Sequence, residues 1–226
     1  MTQATGSPVE DWVPPAFPAA IEMKGRLVTV SPLRERAFGE LWDAFSADDG
    51  SMWTYMGYGP FPTRASMDEL TAGWLSTSDP LFFTFDVEGR AQGWGSLLRI
   101  EPQHGVIEIG HLALGPSLRQ TAAATEAMYL LIGYVFGLGY RRCEWKCDSL
   151  NRPSRRAAER LGFTYEGTFR QHMVYKGRNR DTSWYSITDT EWPTLSLAVE
   201  KWLDPSNFDE GGRQRRRLAE IRIGGS

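Results

Sequence analysis

The chain has 226 residues, 41% hydrophobic and 23% charged, and 25 Lys and Arg against 28 Asp and Glu give a formal charge of −3. A chain this long buries roughly 70% of the surface it exposes when unfolded, enough for a core without disulfides or metals, and its composition is that of neither a disordered tail nor a fibre. The mild charge gives no reason to expect nucleic acid, and two cysteines, Cys143 and Cys147, supply neither a disulfide framework nor a four-ligand zinc site, which predicts a reducing, cytoplasmic setting and no metal.

In chain order, Pro8, Pro14, Pro15 and Pro18 disfavour helix and central strand and predict a surface arm over residues 1–24, with no basic-then-apolar secretory pattern. RLVTVSPL, from Arg26, alternates as a strand does. Residues Arg34 to Phe45 and Ala65 to Leu75 carry apolar side chains at helical spacing, the second with Met67, Leu70, Trp74 and Leu75 facing inward. The glycine-rich, aromatic SMWTYMGYGPFP between them reads as a loop. Leu81 to Val87, Ala91 to Ile100 and Gly105 to Leu114 read as strands joined by short turns, hence antiparallel neighbours. Thr121 to Phe136 follows as a helix, Arg142 to Cys147 as a strand with Cys143, Trp145 and Cys147 on one face, and Pro153 to Leu161 as another helix. Strand, helix, strand demands a crossover and a parallel pair. The apolar run Ala127 to Tyr140 contains three glycines and falls short of the about 20 residues that span a bilayer, so no membrane partner is expected.

Two further strands, Thr164 to Tyr175 and Thr182 to Ile187, flank the charged turn KGRNRD; a helix covers Glu191 to Trp202, and the basic tail GGRQRRRLAEIR reads as a short solvated helix. With no internal repeat and no long linker, a mixed sheet with helices on both faces gives one α+β domain.

The order P-x-L-x-x-T, A-T-E-A, LN-x-x-S-R-x-A-x-x-x-LGF and EG-x-F-R in residues 107–170 resembles the GNAT superfamily of acyl-CoA-dependent N-acetyltransferases, and within it the RimJ/RimL-like branch that acetylates ribosomal-protein N-termini. The resemblance extends loosely over residues 25–190. It implies a GNAT-like domain at 25–203, between the proline-rich arm and a basic extension at 204–226. The implied fold is a mixed, mostly antiparallel twisted sheet, helices on both faces, with a parallel splayed strand pair forming the coenzyme cleft. The implied reaction is direct transfer of acetyl from acetyl-CoA to a primary amine, on a protein N-terminus or a small molecule.

Some of this has a physical basis independent of family. Where a strand ends and a helix begins, at Arg119, Gln120, Thr121, Ala122, Ala123, Ala124 and Thr125, the first free backbone amides of the helix converge on an anion site and small side chains permit close approach. In the family the matching loop holds the coenzyme pyrophosphate, with Ala122 here in place of a glycine. A plain alanine-rich helix start reads the same locally. The resemblance pairs the backbone of Leu112, Ala113 and Leu114 with the pantetheine amides, one N–H polarising the thioester.

Glu108 matches the base-bearing position of many members, and His111 is a second candidate because imidazole titrates near neutrality. Strict alternation puts Glu108 and His111 on opposite faces, so both reach one cleft only if the strand is bulged, as the family implies. A cross-strand glutamate and a half-buried histidine are the plainer alternative. Asn151 reads as a helix cap; Ser154 in N-x-x-S matches a serine near the coenzyme sulfur that protonates the thiolate, and is otherwise a hydroxyl in a first helical turn. The tyrosine used by other members falls at Ala158, and a glutamate of the Rim-type hairpin falls at Met173. Trp53, Tyr55 and Tyr58 in the aromatic loop and Phe169, Arg170 and His172 in the last hairpin suit an amine carrying a nearby carbonyl or carboxylate, or form lid packing. Lys176, Arg178, Arg180 and Asp181 suit an acidic acceptor or a symmetry mate in a homodimer. The alternative to an enzyme is a non-catalytic acyl-CoA-binding sensor module.

Overall fold

The computed structural model describes residues 3–224, so the first two residues of the arm and the last two of the extension lie outside it. Eight strands form one sheet: β1 (Met23–Lys24), β2 (Thr29–Pro32), β3 (Leu81–Val87), β4 (Arg90–Glu101), β5 (Val106–Leu114), β6 (Arg142–Asp148), β7 (Thr164–Tyr175) and β8 (Arg178–Thr188), in spatial order β1-β2-β3-β4-β5-β6-β8-β7. All neighbours are antiparallel except β5 and β6. That pair is joined through α3 (Ala122–Gly137), the crossover a parallel connection requires.

Helices α1 (Phe38–Ser46) and α2 (Arg64–Trp74) cover the β2–β4 half of one face. Their core includes Phe38, Leu41, Phe45, Met67, Phe82 and Trp94. On the opposite face α3, α4 (Arg152–Leu161) and the start of α5 (Trp192–Leu203) bury Leu131, Val135, Leu161 and Leu195 against Phe83, Ile107, Ile109 and Tyr185. The uncovered β5-β6-β8 portion of the first face carries polar side chains.

Three expectations are corrected. Leu75 is 44% exposed, because α2 stops at Trp74 and Leu75 is its cap; buried Thr71 shares the inward stripe with Met67. The hairpin turn is only Lys176–Gly177, and Arg178 to Asp181 lie in β8, because pairing continues through Tyr175 and Arg178. The tail is not merely solvated. Helix α6 (Leu218–Ile223) packs buried Leu218 and Ile221 on Val199 and Trp202, and Asn207 ties the intervening loop to the carbonyls of Trp202 and Arg216. Its apolar residues recur at i and i+3, a stripe too short to stand out beside five arginines.

The arm from residue 3 has no helix and lies on the surface, held where Tyr134 Oη meets Ala19 and Trp12 Nε1 donates to the Gln103 carbonyl. Its end joins the sheet as β1. The following turn is fixed by Glu126 of α3, whose buried carboxylate accepts the backbone N–H groups of Arg26, Leu27 and Val28 at 3.0, 2.6 and 3.1 Å.

Candidate active site

Strand β5 pairs with β6 only over Val106–Glu108 against Arg142–Glu144. Beyond Glu108 the strands part, so Ile109–Leu114 faces a gap while β6 keeps its pairing with β8 through Asp148. On its other side β5 is bulged: Trp94 opposes Ala113 and Ser96 opposes Gly110, leaving three steps of β5 across two of β4. His111, at φ 52°, absorbs the extra residue. Gly95 opposite permits it, since a Cβ there would lie 2.7 Å from both Leu112 Cδ2 and Phe85 Cζ.

The bulge decides which face each side chain takes. Ile107 and Ile109 remain in the α3 core, Glu108 and Gly110 point to the other face, and His111 joins them instead of Ile109. Its ring stacks on Tyr58 (5.8 Å, 6°) beside Trp74 and Phe82, with Nδ1 3.3 Å from Tyr58 Oη. Burial, reinforced by the charge of Arg180, holds His111 below its ordinary pKa. The ring is therefore neutral at pH 7.

Glu108 lies 2.9 Å from Lys146 Nζ, which is also 2.8 Å from Glu144 and 3.8 Å above the Trp184 ring. Arg142 continues the network to Glu144 and, through two hydrogen bonds, to Glu166. Burial pushes the Glu108 carboxyl above the usual range, against the pull of Lys146 and Arg99. At Glu144 burial is outweighed by hydrogen bonds from Lys146 and Arg142, and the carboxyl is held low. Glu108 is thus an ion-paired carboxylate at the closed end of the gap, and His111 is an uncharged base candidate at its open flank.

At the far end of β5 the chain turns through Gln120, at φ 60°, into α3. Thr121 is the N-cap, its Oγ1 accepting from Ala124 N at 3.1 Å. The amides of Ala122 and Ala123 have no acceptor among the described residues and lie at the positive end of a 16-residue helix. Ala122 has right-handed helical backbone, which accommodates a Cβ where the family has glycine. The Arg119 side chain turns inward to Asp48 (2.7 Å) and the Leu114 carbonyl (2.8 Å), bracing the loop rather than presenting its charge. Arg160 reaches Thr125 Oγ1 at 3.0 Å. Replacing Thr121 with aspartate keeps a good cap and adds a negative charge beside the two free amides. Thr121→Asp is expected to weaken coenzyme A binding about tenfold or more in a titration, with little change in melting temperature.

Asn151 caps α4 by accepting from Ser154 N. Ser154 Oγ accepts from Trp145 Nε1 at 3.0 Å and stands within hydrogen-bonding reach of the Cys147 thiol. Burial raises the Cys147 thiol, so it is a poor nucleophile. Ala158 is fully buried in the core.

Tyr58 and Trp53 belong to one aromatic cluster with Phe45, Phe61 and Trp94, and the Trp53 side chain is enclosed. Its carbonyl accepts from Lys176 Nζ at 2.7 Å, fastening the hairpin tip over the loop. Tyr55 is half-buried near Tyr175. Phe169 is exposed but packs on Trp184 (4.7 Å), His172 bonds Thr182 Oγ1 (2.9 Å), and Arg170 is exposed near Asp181. The structure thus gathers His111, Tyr58, Glu108 and the hairpin on one side of the gap, and Ser154 on the other. It adds Lys146, Trp184 and Tyr175, which the sequence reading did not select as site residues, and brings in Arg180, read there only as part of a charged turn. Alternation of Glu144, Lys146 and Asp148 opposite Cys143, Trp145 and Cys147 was the available signal for Lys146.

The sheet opens at its parallel pair, with the N-terminus of α3 at one end of the opening. Residues 28–164 match the family model described as an acetyltransferase (GNAT) domain, and the chain belongs to that family. It is 45% identical to a GCN5-related N-acetyltransferase from Brucella melitensis, over 95% of this chain and 100% of that one, with a TM-score of 0.93. A probable GNAT-family acetyltransferase from Chromobacterium violaceum is 38% identical over 85% and 98% (TM-score 0.80). Mycobacterium smegmatis RimJ, solved with CoA-disulfide, is 20% identical over 76% and 87% and shares the fold (TM-score 0.67). No curated protein matches the chain. No helix among the described residues is long and apolar enough to cross a membrane.

Proposed function

We propose that this acetyltransferase moves acetyl from acetyl-CoA directly to a primary amine, in the gap where β5 and β6 part. The observation that carries the reading is the succession of His111 stacked on Tyr58, a strand edge at Ile109–Leu114 left unpaired by β6, and the free amides of Ala122 and Ala123 beyond it. Small side chains and unbonded amides fit a pyrophosphate. Acetyl-CoA, when bound, supplies an activated acyl carbon and a thiolate leaving group.

His111 takes the proton that frees the amine lone pair; with its ring hydrogen on Nδ1, donated to Tyr58 Oη, Nε2 is the acceptor. The new N–C bond forms as the C–S bond breaks, a β5 backbone N–H steadies the charge on the carbonyl oxygen, and Ser154 gives a proton to the sulfur, its hydroxyl being restored by the second proton that the new amide nitrogen sheds. Holding both reactants in one gap supplies much of the acceleration. Glu108 stays paired with Lys146 and shapes the floor.

Thiol release from acetyl-CoA across a panel of peptides and small amines tests the reading. Transfer to at least one amine supports it; coenzyme binding without thiol release across the panel favours the sensor reading, for which Met173 and Ala158 at positions of family catalytic groups are the observations. Ser154→Ala is expected to lower kcat about tenfold or more while coenzyme affinity stays near wild type. Unchanged turnover would remove Ser154 as the acid.

A further inference from the structure

The cations on the uncovered face of the sheet differ in one respect. Arg142 is bonded to Glu144 and Glu166, and Lys146 sits between Glu108 and Glu144. Arg180 of β8 has no carboxylate within ion-pair distance among the described residues. Its neighbour Asp181 alternates to the other side of the strand, where its Oδ1 accepts from Gln171 N and Asn179 Nδ2. Arg180 Nε donates to Thr182 Oγ1 at 3.1 Å and the guanidinium lies 5.8 Å from the Tyr175 ring centroid. Its two terminal nitrogens have no acceptor among the described residues. The strand partner, β7, bulges here: Phe169 opposes Thr182 and Met173 opposes Arg180, so two extra residues arch away and leave the side chain half-buried but not covered.

β8 pairs with β6 as far as Thr182 against Asp148. Arg180, two residues before Thr182, therefore stands just past the C-terminal end of β6, at the end of the sheet where β5 and β6 have parted, and alternation puts it on the face of Trp184 and Lys146. The coenzyme anion site is elsewhere, at the end of β5 beyond Leu114. An oriented arginine with its fork unbonded fits a carboxylate in two-point contact, and leaving such a cation partly desolvated without a counter-charge is unfavourable unless a ligand provides one.

We propose that Arg180 binds a carboxylate of the acceptor, so that the preferred substrates are amines bearing an anionic group close to the reacting nitrogen: α-amino acids, or peptide N-termini followed by an acidic side chain. The inference rests on the acetyl-transfer reading of the same gap. Anchoring the carboxylate at β8 sets the amine toward His111 Nε2, and the Lys146 and Glu108 pair, already neutralised, does not compete for it.

The test uses matched acceptors with acetyl-CoA: free amino acids against their amides, and peptides with Asp or Glu at the second position against Asn or Gln. Wild type is expected to favour the acids about tenfold or more in kcat/KM, mostly through KM, and Arg180→Gln to bring that ratio close to one; an effect of the lost charge on His111 falls on acids and amides alike and cancels in the ratio. The free or peptide arm that shows the larger ratio identifies the source of the carboxylate. Titration of the coenzyme A complex with the N-acetylated acids and amides gives a readout that does not need turnover. Equal binding of acid and amide by wild type, or a discrimination that survives Arg180→Gln, overturns the assignment even where acetyl transfer occurs. Discrimination lost in the variant, in a protein that releases no thiol, sustains the Arg180 site and sinks the transfer reading instead.

Discussion

Replacing His111 with glutamine is expected to lower kcat/KM by about 10²- to 10⁴-fold, the range of a positioned general base. The pH profile separates this from a packing defect. Burial and Arg180 depress the histidine, so the deprotonated, active form is lost only as pH falls through a value below the ordinary 6.5, and wild-type kcat/KM should stay level from neutrality down to that point. In His111→Gln the acidic limb should vanish along with most of the rate, while coenzyme A affinity stays near wild type. Glu108→Gln should keep the limb. If instead Glu108→Gln removed it, the carboxylate would be the base, and the Lys146 pair would have to open during turnover. Replacing Tyr58 by phenylalanine leaves the stacked ring but removes the Nδ1 partner, and should reduce kcat more than it affects stability.

The second large effect concerns stability. Glu126→Ala removes one carboxylate and leaves three backbone donors, at Arg26, Leu27 and Val28, without their acceptor in a buried turn. At about 1–3 kcal/mol for each buried donor left unsatisfied, partly relieved by water at the half-buried Leu27 and exposed Arg26, the loss should be about 3 kcal/mol or more. For a domain of this length that corresponds to a fall in melting temperature of roughly 6–12 °C. Glu126→Gln keeps one acceptor oxygen and should lose clearly less. The packing is tight: a Cβ on Gly25 would lie 2.4 Å from Glu126 Oε2. Differential scanning calorimetry of the three proteins decides it; equal melting of Glu126→Ala and wild type would mean the turn holds without its anchor.

Glu126 also shows where sequence reading is weak. It stands in the A-T-E-A run that helped establish the resemblance, yet its partners lie some hundred residues earlier in the chain, and nothing local marks a glutamate in an otherwise apolar helix as an anchor. The same holds for Lys146, whose neutralisation depends on Glu108 across the parallel pair. Helix starts fared better, because capping is a local matter: Asn151 occupies the cap that its side chain and spacing suggest. Strand alternation gave the faces of β6 correctly, with Cys143, Trp145 and Cys147 inside. It failed at the ends of elements, as at Leu75 and in the β7–β8 turn, where a single residue of register decides exposure.

By itself the sequence determined the order of most strands and helices, the small-residue helix start after β5 and the need for one parallel pair, because periodicity, caps and breakers act over a few residues, while the resemblance of its ordered motifs pointed to the family. Only the tertiary structure decided that His111 shares a face with Glu108, since the bulge arises from pairing against Gly95 of a neighbouring strand. It alone decided, too, that Lys146 is neutralised and Arg180 is not: charges separated by tens of residues along the chain meet, or fail to meet, only when the sheet has set their strands side by side.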